Sequence, residues 1–99
     1  MKVTDLHEVV KLANEKNLIV IVDNTFLTPY FQKPLQLGAH IEIHSGTKFL
    51  GGHNDTLAGF LSTNNKEIVE KIRFAYKTTG FCLSPFDSFL IIRGIKLYQ

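Results

Sequence analysis

The residues with the clearest chemical potential surround one lysine, Lys48. Ser45 and Thr47 precede it and the pair Gly51-Gly52 follows it, within the stretch Ile43-His44-Ser45-Gly46-Thr47-Lys48-Phe49-Leu50-Gly51-Gly52-His53-Asn54-Asp55. Hydroxyls and backbone N–H groups bind phosphate oxygens, and a neutral lysine amine attacks an aldehyde to form an imine. The pattern is therefore typical of a lysine that reacts with an aldehyde while the neighbouring hydroxyls hold a phosphate.

A second candidate, Asp23, stands upstream at the end of the apolar run 18–22. Ligands of open α/β sheets bind at the carboxyl ends of strands, so an acid at this point faces a ligand. A carboxylate there can keep a pyridine nitrogen protonated, which lets the ring withdraw electrons. Together, Asp23, Ser45, Thr47 and Lys48 predict a pyridoxal phosphate site.

Each of these residues also has a structural interpretation. Lys48 is otherwise a surface lysine, Asp23 a turn or helix-capping aspartate, and Ser45 and Thr47 turn-forming hydroxyls. A nucleotide P-loop is excluded, because the order is Gly-Thr-Lys with no preceding glycine at the required spacing.

A metal site is the alternative use of the polar residues in this region, which are His40, His44, His53 and Asp55. Residues four apart on a strand share a face but stand about 13 Å apart, too far for one metal ion. We therefore expect no metal site, and we expect His44 and His53 to pack and form hydrogen bonds near Lys48.

Composition excludes several classes of protein. The net charge is +2 and the basic residues are scattered, so we expect no nucleic-acid partner. No apolar run is long enough for a membrane span, and no signal peptide is evident. The single cysteine, Cys82, excludes an intrachain disulfide, fits a reducing compartment such as the cytoplasm, and is predicted to be a buried small hydrophobe.

The first half of the chain predicts two helical segments and two strands. Thr4 caps a helix with Asp5 in its first turn, and Asn17 ends that helix. The β-branched run 18–22 predicts a parallel strand buried on both faces. Prolines break the next stretch, Gly38 closes a short helical turn, and residues 39–44 form the second strand.

The second half predicts a third strand over residues 56–62 and two helices. Asn64 or Asn65 caps the first helix, Gly80 follows its end, and its apolar face carries Ile68, Val69, Ile72, Ala75 and Tyr76. The last helix begins with Ser84 at its N-cap, then Pro85 and Asp87. This order predicts an α/β fold with a mostly parallel sheet, and three strands are few enough that the isolated chain should be marginally stable.

The chain also resembles a known family, the transsulfuration (Cys/Met metabolism) enzymes, with cystathionine gamma-synthase and cystathionine gamma-lyase among its members. The resemblance covers residues 3–96 in one order without large gaps, and it rests on Val22-Asp23-Asn24-Thr25-Phe26, Pro34-Leu35-Gln36-Leu37-Gly38-Ala39, His44-Ser45-Gly46-Thr47-Lys48-Phe49-Leu50-Gly51-Gly52-His53 and Leu83-Ser84-Pro85-Phe86-Asp87-Ser88-Phe89-Leu90-Ile91-Ile92-Arg93-Gly94-Ile95-Lys96.

The resemblance implies a fold-type I pyridoxal phosphate enzyme, aspartate aminotransferase-like, that acts by elimination or replacement at the β or γ carbon of an amino acid such as cystathionine or an O-acylhomoserine. It implies that Lys48 attaches the cofactor, that Asp23 binds the pyridinium nitrogen, and that Ser45 and Thr47 bind its phosphate. The family also implies a cytoplasmic homo-oligomer, a tetramer. It does not distinguish lyase, synthase and sulfhydrylase.

The resemblance further implies that residues 1–99 are an internal fragment of the large cofactor-binding domain. The N-terminal part, with a ring-stacking tyrosine, and the C-terminal small domain, with the carboxylate-binding arginine, would lie elsewhere, so Arg93 is assigned to structure. We therefore expect the 99 residues alone to be inactive. Two alternatives remain: a non-catalytic remnant stabilised by self-association or a partner, and a small nucleotide- or phosphate-binding module.

Overall fold

The computed structural model describes residues 2–98, which form four helices and one three-stranded sheet. The helices and strands follow the order α1 (Leu6–Glu15), β1 (Ile21–Asp23), α2 (Thr28–Phe31), β2 (Ile41–Ser45), β3 (Gly59–Ser62), α3 (Lys66–Thr79) and α4 (Pro85–Ile95). A short π-type turn, Gly46–Leu50, follows β2, and a 3-10 turn, Lys96–Tyr98, follows α4. The alternation of helices and strands confirms the α/β fold.

The sheet has the order β1-β2-β3. In the described residues it is mixed and not mostly parallel as predicted, because one of its two strand pairs is antiparallel. β1 and β2 run parallel, with Asp23 opposite Ile43. β2 and β3 run antiparallel, with Ser45 opposite Gly59. The segment between β2 and β3 contains the turn Gly46–Leu50 and reverses the direction of the chain, so that β3 returns alongside β2. The carboxyl ends of β1 and β2 therefore meet at one edge, where both candidate segments begin.

The first helix packs on the start of the sheet. Val10 and Ala13 of α1 form a buried cluster with Val20 and Ala39. The N-cap of α1 is Asp5, whose carboxylate accepts hydrogen bonds from the N–H groups of His7 and Glu8. The predicted cap, Thr4, is therefore wrong by one residue, since the Asp5 carboxylate serves two otherwise unpaired donors.

The end of α1 and the first strand differ in how well the sequence predicted them. Asn17 adopts the predicted left-handed conformation, with φ 53°. The first strand is shorter than the run 18–22, and the prediction that it is buried on both faces is wrong: the exposed fractions of Leu18, Ile19 and Ile21 are 59%, 62% and 55%. Within residues 2–98, only one face of this segment is covered.

The stretch after β1 contains one correction. Pro29 lies in the first turn of α2, so it begins a helix instead of breaking the segment. Gly38 has φ 96° and closes the turn before β2, as predicted.

The C-terminal helices begin as the sequence indicates. Asn65, not Asn64, caps α3, and Gly80 follows its end with φ 71°. No residue of α3 is buried, so its apolar face is only partly used. Ser84 caps α4 by accepting the Asp87 N–H at 3.0 Å.

Three further findings concern predicted features. Cys82 is exposed in the connection between α3 and α4, so the prediction of a buried thiol is wrong. Among residues 2–98, no group of His, Cys, Asp and Glu side chains could hold a metal ion. No helix in the described part of the chain combines the length and apolar character needed to cross a bilayer.

Candidate active site

The turn Gly46–Leu50, here called the lysine turn, carries the candidate nucleophile. Lys48 departs from helical geometry with φ −90° and ψ −122°, and its side chain is exposed. The turn is closed by two hydrogen bonds, from Gly51 N to Gly46 O at 2.8 Å and from Gly52 N to Lys48 O at 2.9 Å. The glycine pair in the sequence therefore supplies the amide groups that fix the backbone of the lysine.

The start of β3 holds the other side of the lysine turn. The Thr47 hydroxyl accepts the Ala58 N–H at 3.1 Å and lies 3.5 Å from the Ala58 carbonyl. The second contact is at the limit of a hydrogen bond, so the hydroxyl proton remains available for a better acceptor. Gly46 N donates to the same carbonyl at 2.8 Å. The start of β3 therefore fixes the position of the Thr47 hydroxyl and engages its proton only weakly.

A hydrogen-bonded link joins the ends of β1 and β2. Thr25 donates its hydroxyl proton to Asp23 Oδ1 at 2.5 Å, and its backbone N–H donates to the same oxygen at 3.0 Å. The Thr25 hydroxyl also accepts the Ser45 N–H at 2.8 Å. The candidate acid is therefore connected, through one buried threonine, to the residue that begins the lysine turn.

This link also keeps Asp23 ionised. The hydrogen bond from the Thr25 hydroxyl, and then that from the Thr25 N–H, hold the pKa of Asp23 below its ordinary value of 3.8. Partial desolvation opposes them, and the nearby His44 adds a small lowering. A carboxylate is the form needed to pair with a protonated ring nitrogen. Sequence reasoning missed Thr25, although an Asp side chain commonly accepts a hydrogen bond from the backbone N–H two residues further on.

A buried polar layer lies behind this link and was also missed. Glu42 Oε1 accepts a hydrogen bond from Asn24 Nδ2 at 2.9 Å and lies 2.6 Å from His44 Nε2. Gln32 Nε2 donates to Asn24 Oδ1 at 3.0 Å. Glu42 and His44 are two residues apart on β2, so their side chains lie on the same face of the strand. This two-residue spacing of polar side chains is the signal in the sequence that could have revealed them. The layer fixes Asn24, the residue next to Asp23.

The predicted surroundings of Lys48 are partly as expected. His44 is buried in this layer, and His53 Nδ1 lies 2.7 Å from the Gly51 carbonyl. His40 has a structural role, since its side-chain Nδ1 accepts a hydrogen bond from the Val20 N–H. Arg93 forms an ion pair with Asp55, in agreement with its assignment to structure.

Comparison with known proteins decides the family. A model of the Cys/Met metabolism PLP-dependent enzymes matches residues 1–99. The chain belongs to this family. Cystathionine gamma-synthase of Haemophilus influenzae is 50% identical over 96 residues, which are 97% of this chain and 26% of that protein. Cystathionine gamma-lyase of Bacillus subtilis is also 50% identical over 96 residues, 25% of its length.

Solved structures agree with this assignment. Cystathionine gamma-lyase from Lactobacillus plantarum, complexed with L-serine, has a TM-score of 0.94 and 41% identity, and the match covers 98% of this chain and 26% of that one. Cystathionine gamma synthase from Xanthomonas oryzae pv. oryzae, in complex with cystathionine, has a TM-score of 0.93 and 38% identity, covering 97% and 25%. The chain spans about a quarter of the length of these relatives. The predicted fold class, part of a fold-type I large domain, is confirmed.

The cofactor of this family is pyridoxal phosphate, and the donor set fits it. The exposed amine of Lys48, the ionised Asp23 and the hydroxyls of Ser45 and Thr47 supply a nucleophile, a partner for a ring nitrogen and phosphate donors. All four lie where β1 and β2 end. Their individual roles remain predictions.

Proposed function

We propose that this chain is the cofactor-binding part of an enzyme that eliminates or replaces a group at the β or γ carbon of an amino acid of the cystathionine or O-acylhomoserine type. The observation that carries the proposal is the link Asp23–Thr25–Ser45, which joins the acid to the segment of Lys48. Relatives described as cystathionine gamma-synthase, cystathionine beta-lyase and L-methionine gamma-lyase support the substrate class.

The residues divide the work by their chemistry. Pyridoxal phosphate, when bound, supplies an electron sink for charge that develops at the substrate α carbon. Lys48 would hold the cofactor through its amine, and the same amine would take a proton from the substrate α carbon and return it further along the substrate. Asp23 keeps a proton on the ring nitrogen. Ser45 and Thr47 donate hydrogen bonds to the phosphate and fix the position of the ring.

The whole protein is proposed to be a cytoplasmic homo-oligomer, a tetramer, with residues 1–99 forming part of its large domain. The isolated chain is expected to be inactive. Catalysis requires reacting groups held in a fixed geometry, and the apolar side chains around the site are open to solvent: Phe26, Tyr30 and Phe31 are each more than 60% exposed.

The alternative is a non-catalytic remnant that is stable only through self-association or a partner. The observation that favours it is the number of large apolar side chains on the surface, which include Val3, Ile19, Leu57, Phe74, Phe81, Phe86, Phe89 and Leu97. Such a surface marks an interaction site or an aggregation hazard. A monomeric chain that unfolds cooperatively would contradict this alternative.

Covalent trapping tests the main proposal. The 99-residue chain is mixed with pyridoxal phosphate, reduced with borohydride and digested, and the modified lysines are mapped by mass spectrometry. We expect selective modification of Lys48 that is lost in Lys48→Ala and weakened in Asp23→Asn. Lys71→Ala, on the exposed surface of α3, is the control and should leave it unchanged.

The outcomes separate the candidate functions. Modification spread evenly over the lysines would contradict the pyridoxal phosphate site. Binding of a nucleotide in preference to pyridoxal phosphate would instead support a small phosphate-binding module. Lys48-dependent lyase activity of the purified chain would contradict the expectation that the chain alone is inactive.

A further inference from the structure

Helix α4 packs closely against the backbone around the lysine turn at Gly94. A Cβ atom at Gly94 would lie 2.2 Å from the carbonyl oxygen of Gly51 and 2.5 Å from that of Leu50. Both distances are shorter than any that a real Cβ atom tolerates, and the opposing atoms belong to the backbone, which cannot rotate away. The absence of a side chain at Gly94 therefore allows α4 to lie directly on the turn.

The opposite side of the turn is packed as closely. A Cβ atom at Gly46 would lie 2.6 Å from the ring of Phe60 and 2.9 Å from the Cβ of Ala58. The buried Ile91 of α4 lies near Gly51. The lysine turn is thus enclosed between β3 and α4, with little freedom to shift toward either.

Polar contacts fix the position of α4 along the turn. Thr56 donates its hydroxyl proton to Asp87 at 2.8 Å near the start of the helix. Arg93 pairs with Asp55 near its end. Beyond the helix, the Tyr98 hydroxyl donates to the Phe49 carbonyl at 2.8 Å. These contacts place Gly94 over Gly51.

We propose that Gly94 is a positioning residue for Lys48. The amide groups of Gly51 and Gly52 donate to the carbonyls of Gly46 and Lys48, so a side chain at Gly94 that displaces Gly51 also displaces the backbone of the lysine. The inference rests on the proposed function only in taking Lys48 as the reacting amine.

The substitution Gly94→Ala tests this with a clear sign. Alanine is a better helix former than glycine, so the substitution favours α4 by itself. The clash of the added Cβ atom with the Gly51 carbonyl should nevertheless displace and loosen the lysine turn. Gly80→Ala is the control, because Gly80 has φ 71° and nothing lies within 4 Å of its added Cβ. Gly80→Ala therefore strains the backbone at residue 80, outside the lysine turn.

Hydrogen exchange measures the turn without any cofactor. In Gly94→Ala, the amides of Gly51 and Gly52 should exchange about tenfold faster relative to the amides of α1. In Gly80→Ala that ratio should not change. An unchanged ratio in Gly94→Ala would overturn the proposal. If Gly94→Ala does not fold, the test uses Thr56→Val, which removes only the hydrogen bond to Asp87. Faster exchange of the Gly51 and Gly52 amides in Thr56→Val would support the proposal, and unchanged exchange would overturn it.

Trapping with pyridoxal phosphate gives the second readout. At saturating cofactor, the rate of modification of Lys48 relative to Lys71 should fall about tenfold in Gly94→Ala and stay constant in Gly80→Ala. Equal losses in the two variants would indicate a general loss of stability and contradict a positioning role. If native Lys48 is not modified, the proposed function fails, and hydrogen exchange alone decides the role of Gly94.

Discussion

The hydroxyl of Thr25 lies 2.5 Å from Asp23 Oδ1 and donates its proton to it. The same oxygen of Thr25 accepts the N–H of Ser45, so one threonine both ionises the candidate acid and connects it to the lysine turn. Strands β1 and β2, which end at Asp23 and Ser45, are parallel neighbours, which is why one side chain just beyond β1 can join their ends.

Replacing Thr25 tests this connection. Thr25→Val keeps the shape but removes the hydroxyl, so the pKa of Asp23 should rise toward its ordinary value because the largest cause of its lowering is lost. Affinity for pyridoxal phosphate should fall about tenfold, the loss of one charge-assisted hydrogen bond. Carboxyl ¹³C titration by NMR and cofactor titration measure the two effects. Thr25→Ser is the control, and an unchanged Asp23 pKa in Thr25→Val would contradict the account.

The lowered carboxyl pKa values predict how stability depends on pH. Asp23 and Asp87 both titrate below the ordinary value of 3.8, Asp87 because Ser84 and then Thr56 donate to it. A carboxyl whose pKa is lower in the folded state stabilises fully above its unfolded pKa, and this contribution is lost as the pH falls through the folded pKa. Stability should therefore decrease below about pH 4.

Denaturant unfolding of the chain at pH 7 and pH 3 checks this dependence. The difference between the two should be smaller in Asp87→Asn, which cannot titrate. Equal pH dependence in the native chain and Asp87→Asn would show that Asp87 does not contribute.

The buried polar layer predicts a difference between two substitutions of Glu42. Glu42→Val leaves the buried His44 Nε2 without its partner, while Asn24 Nδ2 still donates to the carbonyls of Thr28 and Gln32. It should lower the free energy of unfolding by about 1–3 kcal/mol. Glu42→Gln keeps an acceptor oxygen and should lose less. Urea unfolding measures both. A Glu42→Val chain as stable as the native one would mean that the layer adds nothing to stability.

The packing of the lysine turn predicts that alanine substitutions at two glycines, Gly46 and Gly59, differ in their effect on stability. Gly46→Ala places a Cβ atom against Phe60 and Ala58 and should destabilise the chain by about 1–3 kcal/mol. Gly59→Ala meets only one atom, at 4.0 Å, and should be tolerated. Thermal unfolding of the two variants, which carry the same chemical change, makes the comparison. Similar losses in both would contradict close packing at Gly46.

Local features of the chain were predictable because they depend on neighbouring residues. Ser84 and Asp87 at the start of α4, and Gly80 after α3, have conformations set within a few residues. The motif around Lys48 identified the family for the same reason, since its residues are contiguous. Where two neighbours competed for one local role, as Thr4 and Asp5 did for the cap of α1, the sequence could not choose.

The tertiary structure decided what depends on distant parts of the chain. Burial of residues 18–22 required a covering element on each face, and the described chain covers only one. Cys82 is apolar enough to be buried, yet its connection lies on the surface. The sequence by itself therefore determined the family and local features such as the Ser84 cap of α4. Only the fold brought Thr25 to Ser45 and Gly94 to Gly51, because long-range approach depends on how helices and strands pack.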